Sequence, residues 1–123
     1  MAEEIKFNST QEEIDALRRM INERPDFARE ILKEHIQKRP EEVLGEEHKL
    51  SSEEIKANAE KISELSLEKA EEPHQRQVLQ LLQLVEDKGV LNAVSVVKKI
   101  DDPHLEDDFH DALIKFLQGI KNT

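Results

Sequence analysis

In "STQEEIDALRRMI" the apolar residues Ile14, Leu17 and Ile21 recur at helical spacing, which predicts a first helix ending near Arg24. Thr10 with Glu13 three residues later fits a capping box. Pro25 suits the first position of a second helix, with Asp26 near its positive end and an apolar stripe of Phe27, Ile31 and Leu32 flanked by His35. Pro40 stops that helix or opens a short turn through "PEEVL". Residues 10–38 therefore read as a helical hairpin with a narrow apolar seam.

The pattern weakens between 41 and 72. Ser51 and Glu54 form a second capping-box pattern, and Ile55, Ala59 and Ile62 supply one weakly amphipathic helix to about residue 64. The segment is short of apolar anchors and is expected to be a surface strap or a linker.

From Pro73 the character changes. Val78, Leu79, Leu81, Leu82, Leu84 and Val85 cover more than half of a helical wheel, and Gly89 after Lys88 is placed as a C-terminal cap. "VLNAVSVVKKI" is as broadly apolar, leaving a polar wedge of Asn92, Ser95, Lys98 and Lys99. It has no strand partner elsewhere and reads as a short buried helix. A third element from Pro103 to about Gln118 presents Leu105, Phe109, Ala112, Leu113 and Phe116 on one face.

The expected fold is all-α, a small bundle of about five helices: an N-terminal helical hairpin (1–40), an acidic strap or linker with one short helix (41–72) and a C-terminal three-helix core (73–123). Three helices in so few residues bury little surface by themselves. The surplus apolar face must meet the N-terminal hairpin, a second copy or another partner.

Composition agrees with helices. The chain has 123 residues, 37% of them charged and 3% aromatic, and three Gly and four Pro are too few for the turns of an all-β chain. The formal charge is −10, and the acidic residues concentrate in 41–72 and 101–111. An anionic surface without a Lys/Arg stripe argues against direct nucleic-acid binding. The absence of cysteine excludes disulfides, thiolate metal sites and cysteine nucleophiles. "MAEEIKF" lacks the pattern of a secretory signal and no run is apolar for the length of a membrane span, so a soluble, cytoplasmic chain without membrane insertion is expected.

One stretch has the look of chemistry. "DDPHLEDDFHDAL" brings carboxylates and two histidines close together in sequence. With Asp102 as N-cap and Pro103 at the first helical position, a turn of about 100° per residue puts His104, Asp108 and Asp111 on one edge of the apolar face and Glu106 and His110 on the other. One helix cannot bring both histidines to one ion, so a metal site on His104, Asp108 and Asp111 would need a ligand from elsewhere. His35, His48 and His74 are available for that. Acidic residues in a first turn favour the helix dipole, and a helix start explains more of this stretch than a metal or acid/base centre does. Ser66 and the isolated histidines read as surface or boundary residues. Phosphate loops, HExxH, EF-hand spacing and a nucleophile elbow are all missing, and the chain is not expected to be an enzyme or to carry a cofactor.

The order "RPEEVLGEEHKLSSEEI", "EEPHQRQ" and "EDKGVLNAVSVVKKIDDPHLEDDFHDALIKFLQG" resembles a helical segment of candidate-phyla (Patescibacteria-type) bacterial proteins, where it stands near membrane or ATPase regions similar to type IV secretion machinery. The resemblance covers about residues 39–119 and is most specific from Lys88-Gly89 through His110. It implies a soluble accessory module or an excised domain, with a secretion role by association only, and no catalytic residue. The chain departs from the longer pattern in having no ATP-binding motif and no membrane span.

Taken together, these features lead to the expectation of a non-catalytic interaction or assembly module. Its contact surface is expected to combine Leu81, Leu84 and Val96 with the acidic Asp107, Asp108 and Asp111, for a protein partner or a second copy. The alternatives are a metal-binding protein using the His104 edge, and an acidic inhibitor or nucleic-acid mimic.

Overall fold

The computed structural model describes residues 7, 9–45, 48–65 and 73–119. Ser66, the side chain of His74 and the order of the 66–72 part of the expected strap lie outside the described residues.

The fold is all-α. Among the described residues there are seven α-helices: α1 (Thr10–Glu23), α2 (Ala28–Ile36), α3 (Pro40–Val43), α4 (Ser52–Glu64), α5 (Pro73–Lys88), α6 (Val90–Ile100) and α7 (Pro103–Leu117). The expected layout of about five helices omitted the single-turn α3 and a 3₁₀ turn, Pro25–Phe27. That turn changes the hairpin. Pro25 opens it, so α2 begins only at Ala28, and Phe27 (φ −110°, ψ 20°) leaves the helical path. Phe27 is consequently 55% exposed rather than part of the Ile31–Leu32 stripe.

Helix α6 is the axis of the molecule. Val90, Leu91, Asn92, Ala93, Val94, Val96 and Val97 are all buried, so every side of the helix except its last turn is covered. Helices α4 and α5 pack along it most extensively, and α1, α2 and α7 also touch it. The surplus apolar surface of the C-terminal helices is thus met within the chain. Ile14, Leu17 and Ile21 from α1, Leu32 from α2, Ala59 and Ile62 from α4, and Leu81, Val85, Phe109 and Leu113 from the C-terminal helices belong to one continuous core. At about 1.5–3 kcal/mol for each large apolar side chain buried, this shared core is the principal stabilising term.

The expected contact residues need correction on this ground. Leu81 and Val96 are fully buried and Leu84 is 9% exposed, so none of them offers an outward surface. Broad apolarity meant centrality here. The residue of this region that does face outward is Leu79, 58% exposed.

Helix ends follow local chemistry in most places. Asp102 caps α7, its side chain accepting from the His104 and Leu105 N–H groups at 3.1 and 3.3 Å, with Pro103 in the first turn. Asp101 ends α6 in the left-handed conformation (φ 60°, ψ 49°) that Asp tolerates better than most residues. "DDP" is therefore a two-residue joint between helices. The Thr10–Glu13 box is not formed: Ser9 is the N-cap and accepts from Glu12 N at 3.2 Å, while the Thr10 hydroxyl donates to the Asp87 carbonyl. This shift by one residue leaves Glu13 facing inward.

The Ser51–Glu54 box is complete. Ser51 N donates to Glu54 Oε1 at 3.1 Å and Glu54 N donates to Ser51 Oγ at 3.2 Å. The Ser51 backbone N–H, and after it the Ser51 hydroxyl, hold the Glu54 carboxyl below its ordinary pKa. A folded-state pKa below the unfolded value means stability that is present above the unfolded pKa and lost as pH falls through the folded one. Comparing urea unfolding of the wild type and Glu54→Ala across acid pH should show a deficit at neutral pH that closes in acid. A deficit independent of pH would show that the carboxylate is not the stabilising group.

Candidate functional site

Two polar features stand out against the apolar interior. The first is a buried hub where α1, α2 and α6 meet. Glu13, with no exposed surface, accepts from Val90 N at 2.8 Å through Oε1 and from Leu91 N at 3.0 Å through Oε2. His35, 3% exposed, places Nε2 2.8 Å from Glu13 Oε2. This hydrogen bond joins α1 to α2. The Phe7 ring is tilted against the imidazole, with ring centroids 6.3 Å apart.

The local reason for this arrangement is Gly89. Helix α6 follows α5 after that one residue, whose φ of +97° suits glycine, and glycine has no side chain with which to cap the next helix. The first amides of α6 would be unsatisfied in an apolar interior, and Glu13 supplies the cap from a different helix. A Cβ at position 89 would collide with Glu13 Oε1 and stand 3.2 Å from His48 Nε2. Glycine is needed there both for conformation and for space.

Asn92 completes the junction. Its Nδ2 donates to the carbonyls of Lys88 at 2.8 Å and His48 at 2.9 Å, and its Oδ1 accepts from Leu50 N at 3.0 Å. Of the expected polar wedge, Asn92 is the residue that lies in the interior, 1% exposed. His48 is half-buried, and its buried Nε2 has no hydrogen-bond partner among the described residues.

The histidines therefore divide. His35 is a core residue, in contrast to the surface or boundary role expected for isolated histidines; His104 is exposed and His110 half-buried. The Glu13–His35 pair is sealed from solvent, so neither group can meet a substrate in this conformation. Its chemistry is hydrogen bonding between three helices.

The second feature is an open cleft between α2 and α7. Its larger hollow, about 470 Å³, has Leu32, Ile36 and Ile114 among its lining residues; Arg29 and Lys33 stand on the α2 side, Glu106 and His110 on the α7 side, and Lys98 comes from the last turn of α6. A second hollow of about 440 Å³ shares Arg29 and Ile114 and continues past Asp26, Asp111 and Lys115. Arg29 Nη1 pairs with Asp111 Oδ1 at 2.9 Å across the helices, with both side chains more than half exposed.

The acidic residues of the edge expected to carry function all belong to α7. His104, Asp107 and Asp108 are exposed, and Asp111 is engaged by Arg29. Among the described residues, no three His, Asp or Glu side chains are placed to hold a metal ion. Glu106 and His110, from the opposite edge, border the larger hollow, and Asp111 borders the second.

Sequence reasoning missed Glu13, His35, Gly89 and Asn92 as a connected set. A usable signal was present: Glu13 lies four residues before Leu17 on the apolar stripe, and Asn92 interrupts an apolar helix. Neither signal names its partner, since the contacts span 22 to 78 residues of chain.

Neither a family model, nor a curated protein, nor a solved structure matches this chain. Among the described residues, no helix is long and apolar enough to cross a membrane.

Removing the buried cap should be costly. Glu13→Ala orphans two amides and an imidazole, and equilibrium urea unfolding should register a loss of about 3–5 kcal/mol. Glu13→Gln, which keeps one acceptor, should lose less. A loss under about 1 kcal/mol for the alanine variant would remove the hub from the list of principal constraints. Gly89→Ala should cost more than about 1 kcal/mol, through its positive φ and the collision with Glu13.

Proposed function

We propose that the chain is a non-catalytic helical module that binds a protein partner and serves assembly. One observation carries the reading: a chain that closes its own core leaves an open cleft between α2 and α7, where half-buried Ile36 lines the hollow with the core residues Leu32 and Ile114 at its floor. Grooves between helices with apolar lining and charged edges suit helical peptide segments. Phe27, 55% exposed and flanked by the second hollow's Asp26 and Ala28, adds apolar area beside it. The partner-binding role first assigned to Leu81, Leu84 and Val96 moves to this cleft. The resemblance over residues 39–119 supports a place for the module beside a secretion-like complex.

A photoreactive residue at Gln37, on the cleft, and another at Glu60, on α4 away from it, test the reading in cells that make the protein. A discrete protein adduct is expected from Gln37 and none from Glu60. Equal labelling from both positions, or no protein adduct from Gln37, would count against an interaction module using this cleft.

A further inference from the structure

The chain carries a formal charge of −10, yet along the cleft's two hollows Arg29, Lys33, Lys98 and Lys115 stand against Glu106, Asp26 and Asp111, and the basic excess is at the larger hollow. Local excess of positive charge on an acidic molecule is a selective feature, because the remaining surface repels the ligand that this place attracts. Arg29 and Lys33 are four residues apart on α2, so they stand on one side of the groove, and Leu32 and Ile36 follow the same helical face. Lys98 comes from a different helix. The charges therefore border half-buried Ile36 and the core residues Leu32 and Ile114 beneath it, which matches an amphipathic segment with acidic flanks.

Asp111 already shows how such a carboxylate would be held. It pairs with Arg29 at 2.9 Å, and side-chain exposures of 72% for Arg29 and 54% for Asp111 make this a weak, solvent-screened pair. An incoming carboxylate presented by a docked helix can replace it.

We propose that the α2/α7 cleft is a docking groove for an acidic amphipathic helix of a partner protein, and that Asp111 occupies Arg29 until a partner carboxylate takes its place. The proposal rests on the interaction-module reading and names the partner's chemistry. It also changes the part expected of Asp111, from a contact residue to a competitor of the ligand.

The test is fluorescence anisotropy on the full chain with a labelled amphipathic peptide carrying leucines on one helical face and glutamates along both edges. The same peptide with lysines in place of the glutamates is the control. The glutamate peptide should bind with an affinity that falls as salt rises. Lys33→Glu with Lys98→Glu should weaken it by at least about tenfold, and the neutral pair Lys33→Gln with Lys98→Gln should weaken it less. Asp111→Asn should tighten binding by about twofold to fivefold, the span of an exposed ion pair. Circular dichroism should show these variants folded, since all three positions are on the surface.

Preference for the lysine peptide, indifference to charge reversal, or weaker binding by Asp111→Asn would each overturn the proposal. Self-association of the chain through these same residues would overturn it as well, by making a second copy the occupant. If the peptide fails while Gln37 still gives a discrete protein adduct, the acidic-helix inference falls and the module reading stands. If both fail, the module reading falls with it.

Discussion

The carboxylate of Glu13 must be satisfied in the interior, and the first amides of α6 must be satisfied without a side chain at Gly89 to do it. One contact answers both requirements, with His35 as the third participant. A buried ion or dipole without partners costs several kcal/mol, so the three helices are held in one mutual arrangement. Apolar packing by itself would tolerate sliding between α1 and α6. Directional hydrogen bonds to two successive amides do not, and they are what give this packing its register.

That constraint makes α6 the centre of the fold. Its start is capped by Glu13 from α1, its own Asn92 reaches back to the Lys88 carbonyl, and Asp101 turns the chain at the finish. Gln77 plays a similar part for α4, donating to the Ile62 carbonyl at 3.1 Å from a buried position. Arg18 ties α1 to α7 by lying over the Phe116 ring, 5.0 Å from its centroid. With α6 wrapped except at its last turn, the packing leaves room at the periphery, between α2 and α7 among other places.

The histidine- and carboxylate-rich start of α7 has two separate roles. Its first residues end one helix and cap the next, and this much was legible because N-caps and first-turn acids act within a few residues of chain. Its two edges were also separable by helical rotation. Which edge would face a cleft depended on where α2 lay, and α2 reaches that place only through the 3₁₀ turn at Pro25–Phe27 and the anchoring of His35.

Helical periodicity, the Ser51–Glu54 box, the Gly89 break and the Asp102 cap were determined by the sequence alone, because each depends on neighbours within one or two turns. The burial of Leu81, Leu84 and Val96 was not, since a helix apolar on several sides can be central to a fold or exposed to a partner, and only the positions of the other helices choose between them. Glu13 shows the same division more sharply. From the sequence it has the spacing of a local capping residue; in the tertiary structure it caps a helix that begins 77 positions later. Local propensities act through adjacent atoms, whereas a buried charge answers to whatever the fold brings within hydrogen-bond distance.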